Sequence, residues 1–458
     1  MRRAIDVVVI GLFVQLVACH VAADENWPQF RGSDSQGTST NDKLPTRWSA
    51  TENVRWRTGI PGQGWSSPVV WGDKVFVTTV VNQGEDEEAK PGLYFGGERP
   101  DAPKSEHEWK TYCLHLQTGE VLWDRVAHRG LPPMGRHIKN SYASETPATD
   151  GQRVYAYFGN LGLYTYDLDG NLIWSRPISP RKTRATWGTG ASAIVHNGRV
   201  FLVNDNEEES YVVALDAKTG DELWRRERDE LTNWATPFIW ESGKRTELVT
   251  AGTKRIRSYD LDGNLLWELG GMSSIAIPTP FARDGLLYLA SGYLMDKQRP
   301  VFAVKAGATG DISPKEGETS SEYVAWCQPQ AGPYNPSPVL YKDYLYVLLD
   351  RGLFACYDAA TGQEMYEKKR IPNGKAFTSS PWAYDDKIFC LNEFGTTFVI
   401  KAGPEFEILY ENELGEDVMC LATPALVGDK LLIRTDKDVI CLEDGFKLEP
   451  KVAINSTP

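Results

Sequence analysis

Apolar residues in this chain come in short runs separated by turn residues, and the spacing of those runs repeats. Residues 191–224, ASAIVHNGRVFLVNDNEEESYVVALDAKTGDELW, show the unit most completely. An apolar run at 193–195 precedes a His-Asn-Gly turn and a second run at 200–203. An acidic loop then leads to a third run at 211–215, a turn at 217–220 and a closing Glu-Leu-Trp. Runs of this length, rich in β-branched and aromatic residues and bounded by Gly, Asn and Asp, predict strands, and four in succession predict an antiparallel meander.

Each unit is announced by a small residue before its first run: Ser67-Pro68, Thr146-Pro147, Ser192-Ala193, Thr236-Pro237, Thr279-Pro280, Ser337-Pro338, Ser380-Pro381 and Thr423-Pro424. Pro is tolerated at the first residue of a strand, where no ladder donor is needed. From Pro147 onward the starts recur about every 44 residues, except where residues 292–330 lengthen one unit; the first is lengthened by 82–110. Four strands at that period are the signature of radial blades. The units close on a turn and an aromatic at Trp123, Trp174, Trp224, Trp267 and Tyr366, with weaker versions near Gly310 and Tyr410. The last unit holds only LLIRT and DVICL after its first run, while an unpartnered NVRWR stands at 53–57. The pattern therefore predicts an all-β, eight-bladed propeller of four-stranded antiparallel blades at 46–445, closed by an N-terminal strand. An extension at 24–45 precedes it and a tail at 446–458 follows.

Composition sharpens this in three ways. Fifteen Trp, 20 Tyr and 16 Phe supply large side chains for a continuous core between sheets. The formal charge is −13, and −14 without a leader carrying Arg2, Arg3 and Asp6, which disfavours phosphate backbones as partners. Residues 1–23 read as a signal peptide whose apolar core, 7–18, is too short to span a bilayer as a mature helix. Two cleavage readings stand. Leu16-Val17-Ala18-Cys19 resembles a lipobox that leaves Cys19 as a lipidated first residue, and Val21-Ala22-Ala23 suits ordinary signal peptidase. Six further cysteines sit apart, mostly in strand patterns, with no CxxC and no CxxCH, which excludes c-type haem and CxxC zinc sites.

Ala214, Asp216, Thr219, Gly220 and Trp224 match the AxDxxTGxxxW docking motif of quinoprotein-type, PQQ-like propeller repeats, and the other units match it in part. The sequence thus resembles the PQQ-like repeat proteins labelled BamB-like, over about residues 48–442. The resemblance implies an eight-bladed fold. It leaves function divided, since that superfamily holds PQQ-dependent alcohol dehydrogenases as well as BamB, a non-catalytic outer-membrane assembly lipoprotein. The motif also has a meaning that needs no cofactor: Trp packs over the next blade's turn, Asp and Thr satisfy turn amides, and Gly supplies a positive φ. Trp123, Trp174, Asp216, Thr219, Gly220, Trp224, Trp267 and Tyr366 are read as blade staples.

In such a ring the loop into each first strand and the loop between the second and third strands emerge on one face. Those loops hold Arg136, His137, Lys139, Asn140, Tyr142, Glu145, Arg184, Trp187, Asp205, Glu207, Asn233, Trp234, Tyr334, Asn335, Lys375 and Phe377. Converging aromatic and polar groups make this the candidate face for a ligand or partner. A PQQ enzyme would need an aromatic floor, cations for the quinone carboxylates, Ca²⁺ on oxygen ligands and a carboxylate base. Trp187 and Trp234 offer the floor, Arg136, Lys139 and Arg184 the cations, and Asp205, Glu207 or Glu208 the acid. Against this, the resemblance implies a vicinal disulfide beside the quinone, and the sequence has no adjacent cysteines. Asp-Leu-Asp-Gly-Asn at 167–171 and 260–264 lacks the further EF-hand ligands and falls where hairpin turns are needed. His107, His115, His128 and His137 match no compact metal motif, and no metal site is assigned. In the first insertion, the charged 84–90 reads as a solvated loop, and Tyr94, Phe95 and Trp109 as surface-packing aromatics.

The leading expectation is a non-catalytic exported propeller that binds an envelope protein or small ligand without a cofactor, periplasmic or lipid-anchored to the outer membrane, with no mature transmembrane helix. The alternative is a PQQ- and Ca²⁺-dependent oxidoreductase.

Overall fold

Alternation along the strands decides the architecture, because both faces of each sheet are buried against a neighbour. In the unit at 191–224, Val200, Leu202, Val213 and Leu215 pack with Tyr155, Tyr157 and Leu163 of the preceding sheet, whereas Ile194, Phe201, Val203, Val212 and Ala214 pack with Leu248 and Tyr259 of the following one. A period of two splits each strand between two interfaces. Sheets of this kind stack around an axis.

The computed structural model describes residues 25–85, 89–93 and 96–448. The leader with Cys19, residues 86–88 of the acidic loop, Tyr94, Phe95 and the tail from 449 lie outside the described residues. Eight sheets of at least four strands follow in chain order. Blades 1 and 2 begin at Val69–Trp71 and Ala148–Thr149, and blade 3 comprises Ile194–His196, Arg199–Asn204, Ser210–Asp216 and Glu222–Arg228. Blades 4 to 7 begin at Phe238–Glu241, Phe281–Arg283, Val339–Tyr341 and Trp382–Tyr384. Blade 8 contains Ala425–Val427, Lys430–Arg434 and Asp438–Lys447, and its fourth strand is Glu52–Gly59 from the N-terminus, antiparallel to Asp438–Lys447. The last strand thus runs two residues past the expected start of the tail.

The insertions have structural uses that the periodicity did not foretell. Within 292–330, Gly310–Asp311 pairs in parallel with Leu265–Leu269 and becomes a fifth strand of blade 4. In the first insertion, Glu98–Arg99 pairs with Arg136–His137 of the loop between blades 1 and 2.

At the inner ends of the blades the small residues before each first strand join in a ring. The N–H of Ser67 donates to the Thr146 hydroxyl, Thr146 to Ser192, Ser192 to Thr236, Thr279 to Ser337, Ser337 to Ser380, Ser380 to Thr423 and Thr423 back to Ser67, at 2.9–3.1 Å. Seven of eight junctions are linked in this way, and the junction between Thr236 and Thr279 is not.

At the rim the indoles do the joining. Trp123, Trp174 and Trp224 donate Nε1–H to the carbonyls of Leu168, Ala217 and Leu261 in the next blade, at 3.0, 3.2 and 2.8 Å. Their rings lie so close to Gly170, Gly220 and Gly263 that a Cβ there would sit 2.6–2.8 Å from indole carbon, and all three glycines have positive φ. Trp56 on Gly119 and Trp326 on Gly362 repeat the arrangement. Asp216 Oδ1 accepts the N–H groups of Lys218 and Thr219, and the Thr219 hydroxyl donates to Asp221. Two expected staples depart from the pattern. Trp267 is fully buried and donates to Glu247 within its own blade, because the next blade's turn is displaced by the insertion; Arg245 and Lys244 reach that turn instead, at the carbonyls of Ala308 and Ala306. Tyr366 packs edge-on to Phe406, 5.9 Å away, and makes no such carbonyl bond.

Removing an indole of this type should loosen one blade interface. Trp224→Ala is expected to lower the unfolding free energy by about 2–3 kcal/mol, less than for a fully buried Trp because the ring is half-buried. An unchanged denaturation midpoint in urea would contradict the docking role.

Candidate functional site

The ring encloses an axial channel whose two ends differ. Across the end formed by the hairpins joining first and second strands runs the N-terminal extension. Trp27 exchanges two backbone hydrogen bonds with Val70 of blade 1, and Pro28 accepts from Thr149 of blade 2. Arg31, fully buried, reaches into the channel to donate to the carbonyls of Ser337 and Pro338 at 3.0 and 2.8 Å. Gln36, Ser39 and Asn41 then bond Ala282, Ala383 and Gly428 of blades 5, 7 and 8. This end is stoppered, and Phe30 points onto the cavity left above it.

That cavity, about 410 Å³, lies on the opposite face, where the candidate loops gather, and falls in the roughly 300–1,000 Å³ range of small-molecule sites. Its lining includes the hydroxyl residues of all eight blade starts. Above them stand two aromatic pairs, Trp187 with Trp234 (centroids 5.9 Å apart) and Tyr293 with Tyr334 (5.5 Å). His137, Lys139, Asn140 and Asn335 also line it. Seven of the sixteen candidate residues therefore meet there. Trp65, Glu98, Tyr293, Asp350 and Arg351 join them and were not singled out by sequence; Asp350 and Arg351 sit at the turn after the second strand of blade 6, the position that carries Asp205 in blade 3.

Electrostatics in the cavity are largely settled internally. Lys139 Nζ is 2.5 Å from Glu393 Oε1, whose side chain is completely buried, and Nζ also donates to the Gly92 carbonyl at 2.9 Å. Glu393 in turn accepts from Thr378 and from the Gly92 N–H. The first insertion is thereby tied over the mouth, from the blade 1–2 loop to blade 7. A hydrogen bond from its own backbone N–H, and then that from Trp187 Nε1 at 3.1 Å, hold the Glu98 pKa below the ordinary value. Asp350 accepts the N–H groups of Tyr334 and Asn335 at 3.0 Å, and burial still pushes it up to about 6.

The other nine candidates serve the scaffold. Arg136 donates to the carbonyls of His137, Ile138 and Asn140 and to Gln63, bracing its own loop. Tyr142 packs against His107 and Trp109 and donates to Met134 O. Arg184 bonds Ser274 O and lies over the Tyr293 ring from outside the cavity lining. Asp205 forms a fully buried, bidentate ion pair with Arg228 at 2.8 and 3.0 Å, and Asn233 donates to the same carboxylate. Glu207 accepts from Thr232, and Glu208 from Lys182 N. Lys375 is exposed, 5.1 Å over Phe394, and Phe377 is core. Glu145 is buried beside Thr189 and Gly159, where desolvation pushes it up to about 7.

The residues that the sequence offered for PQQ with Ca²⁺ do not assemble as a set: Trp187, Trp234 and Lys139 line the cavity, and Arg136, Arg184, Asp205, Glu207 and Glu208 do not. Two of the three proposed cations are spent on backbone carbonyls and the third on Glu393, and the proposed acids are spent on Arg228, Thr232 and Lys182. Among the described residues no group of three or more His, Cys, Asp or Glu gathers as a metal site, and the six described cysteines are free thiols. Asp167 and Asp260 spend their carboxylates on the amides and side chain of Asn171 and Asn264, as turns require.

Eight blades, seven of their eight inner junctions tied by a hydroxyl and most outer indoles seated on the next blade's turn, define an eight-bladed β-propeller. Within that class, a family model described as "Outer membrane protein assembly factor BamB" matches residues 38–230. Among curated proteins there is no significant sequence match. BamB from Moraxella catarrhalis superposes with a TM-score of 0.53 at 11% identity, covering 80% of this chain and 98% of that one. Quinohemoprotein alcohol dehydrogenase from Comamonas testosteroni gives 0.58 at 13%, covering 93% and 81%. The computationally designed Ika8 protein gives 0.54 at 12%, covering 86% and 99%. At such identities the likeness is one of fold, and a fold shared by an assembly factor, a dehydrogenase and a designed protein leaves function to the site. Among the described residues no helix is long and apolar enough to cross a membrane.

Glu145 gives a pH signature. Its folded pKa, about 7, lies above the ordinary 4.5, so the folded protein holds a proton that the unfolded chain has released between those values. Stability from this group falls as pH rises through that window. Glu145→Gln, which mimics the protonated form, should match wild type near pH 4.5 and exceed it above pH 7 by on the order of 2–3 kcal/mol in urea unfolding. A difference independent of pH would contradict the burial-driven shift.

Proposed function

We propose that this protein is an exported, non-catalytic binding protein of the cell envelope, which engages a ligand or partner segment in its axial cavity. The support is the cavity itself: one end of the channel is stoppered by the chain's own N-terminal extension, and the other opens between paired aromatic rings. The carboxylates Asp205, Glu207 and Glu208 and the cations Arg136 and Arg184, which the sequence offered for a quinone reaction, are engaged elsewhere in the scaffold. The BamB-like family match favours an envelope setting and a scaffolding role. Trp27 is pinned at the stoppered end, so an anchor at Cys19, eight residues earlier, would hold that end within about 28 Å of a bilayer and turn the mouth away from it.

Titration of the purified mature protein with PQQ and Ca²⁺ tests this against the dehydrogenase alternative. The expected result is an unchanged quinone spectrum and no dye-linked alcohol oxidation. A photoreactive residue at Arg351, beside the mouth, should also cross-link an envelope component that one at Lys218, on the stoppered face, does not. Tight quinone binding with turnover would overturn the proposal.

A further inference from the structure

The cavity floor carries hydrogen-bonding capacity that the protein leaves unused. Ser67, Thr146, Ser192, Thr236, Ser337, Ser380 and Thr423 each accept one backbone N–H, and a hydroxyl that accepts still has its own proton to donate. Among the described residues none of these protons is donated to a protein acceptor. Thr279 is the sharpest case. It is 4% exposed and lines the cavity, yet among the described residues its hydroxyl has no partner, because the N–H of Thr236 does not reach it. Higher up, the carboxamide of Asn335 makes no side-chain hydrogen bond among the described residues. These hydroxyls face the open cavity, so whatever fills it meets a floor of free proton donors, which suits oxygen-bearing contents.

The walls and the charges narrow those contents. Trp187, Trp234, Tyr293 and Tyr334 present flat apolar faces. Lys139 is paired with Glu393, and the lining sets the carboxylates Glu98 and Asp350 beside the single further cation Arg351, so positive charge is not in excess there. A cation would meet a floor of proton donors. A purely apolar ligand would leave that floor unpaired, at about 1–3 kcal/mol for each stranded group. A sugar ring answers both demands: its C–H face lies on an aromatic ring while its hydroxyls accept from the floor.

We propose that the axial cavity binds an uncharged saccharide, with a sugar ring against the paired aromatics and its hydroxyls directed at the Ser/Thr ring. This rests on the binding reading above and gives it a ligand class. Tryptophan fluorescence of the full mature protein, with Trp65, Trp187 and Trp234 in the lining, reports occupancy directly. The probes are maltotriose, cellotriose and N,N′,N″-triacetylchitotriose, with trigalacturonate as the charged control. At least one neutral probe is expected to bind with a dissociation constant between about 10 μM and 1 mM. Trp234→Ala should weaken it tenfold or more. Thr279→Val, isosteric and removing a hydroxyl with no protein partner, should keep or raise the melting temperature while weakening binding about fivefold, which separates a ligand contact from a folding defect.

Failure of all three neutral probes, equal binding of trigalacturonate, or wild-type affinity in Thr279→Val would overturn the saccharide proposal. If the probes fail while the Arg351 cross-link persists, the ligand class falls and the binding reading stands. If a bound saccharide is oxidised when PQQ and Ca²⁺ are added, the ligand class stands and the non-catalytic reading falls.

Discussion

Everything in this molecule hangs on where the first N–H of each blade goes. A blade's inner strand meets the crowded axis, with no room for a further strand to satisfy the residue that enters it. The chain solves this by placing Ser or Thr at that residue in every blade and bonding seven of the eight N–H groups to the next hydroxyl round. A bond between neighbours is also a statement of spacing, so the ring sets the angle between blades and the width of the channel. The rim indoles complete the interface from outside, where a Trp fits only because the facing turn residue is Gly.

Function follows from how the channel is finished. The N-terminal strand closes blade 8, and the extension before it stoppers one end, with Arg31 inside and Phe30 facing the cavity. At the other end the first insertion is drawn across the mouth by Lys139 and Glu393. Such a buried ion pair is costly to break on one side, about 3–5 kcal/mol when a lone charge is left behind. A repeat structure open at both ends has thereby become a vessel with one mouth. The same economy explains why candidates that looked chemical are structural: Asp205 with Arg228 and Glu207 with Thr232 hold loops in place so that Trp187 and Trp234 can face inward.

The sequence made the fold readable because its signals are local and repeated. The Ser/Thr-Pro starts and the Thr-Gly turns with their following Trp recur at a fixed spacing, and even the missing strand of blade 8 showed as an orphan at 53–57. The site was readable only in part, because its decisive contacts are between loops distant in sequence. Nothing near Lys139 announces Glu393, which is 254 residues away, and nothing near Asp205 singles out Arg228 at the end of an outer strand. Phe377 looked like a mouth aromatic but turns into the core beside Phe398, and Arg136 faces its own loop's carbonyls. Trp326, the true closing aromatic of blade 5, was masked by the insertion that displaces the Thr-Gly turn.

The most direct test of the hydroxyl ring is native-state hydrogen exchange at residue resolution across the eight blade starts. The N–H groups of Ser67, Thr146, Ser192, Thr279, Ser337, Ser380 and Thr423 should exchange only with global opening, while that of Thr236, the one without a hydroxyl acceptor, should exchange markedly faster. Equal protection at all eight, or fast exchange at several of the seven linked positions, would contradict the account.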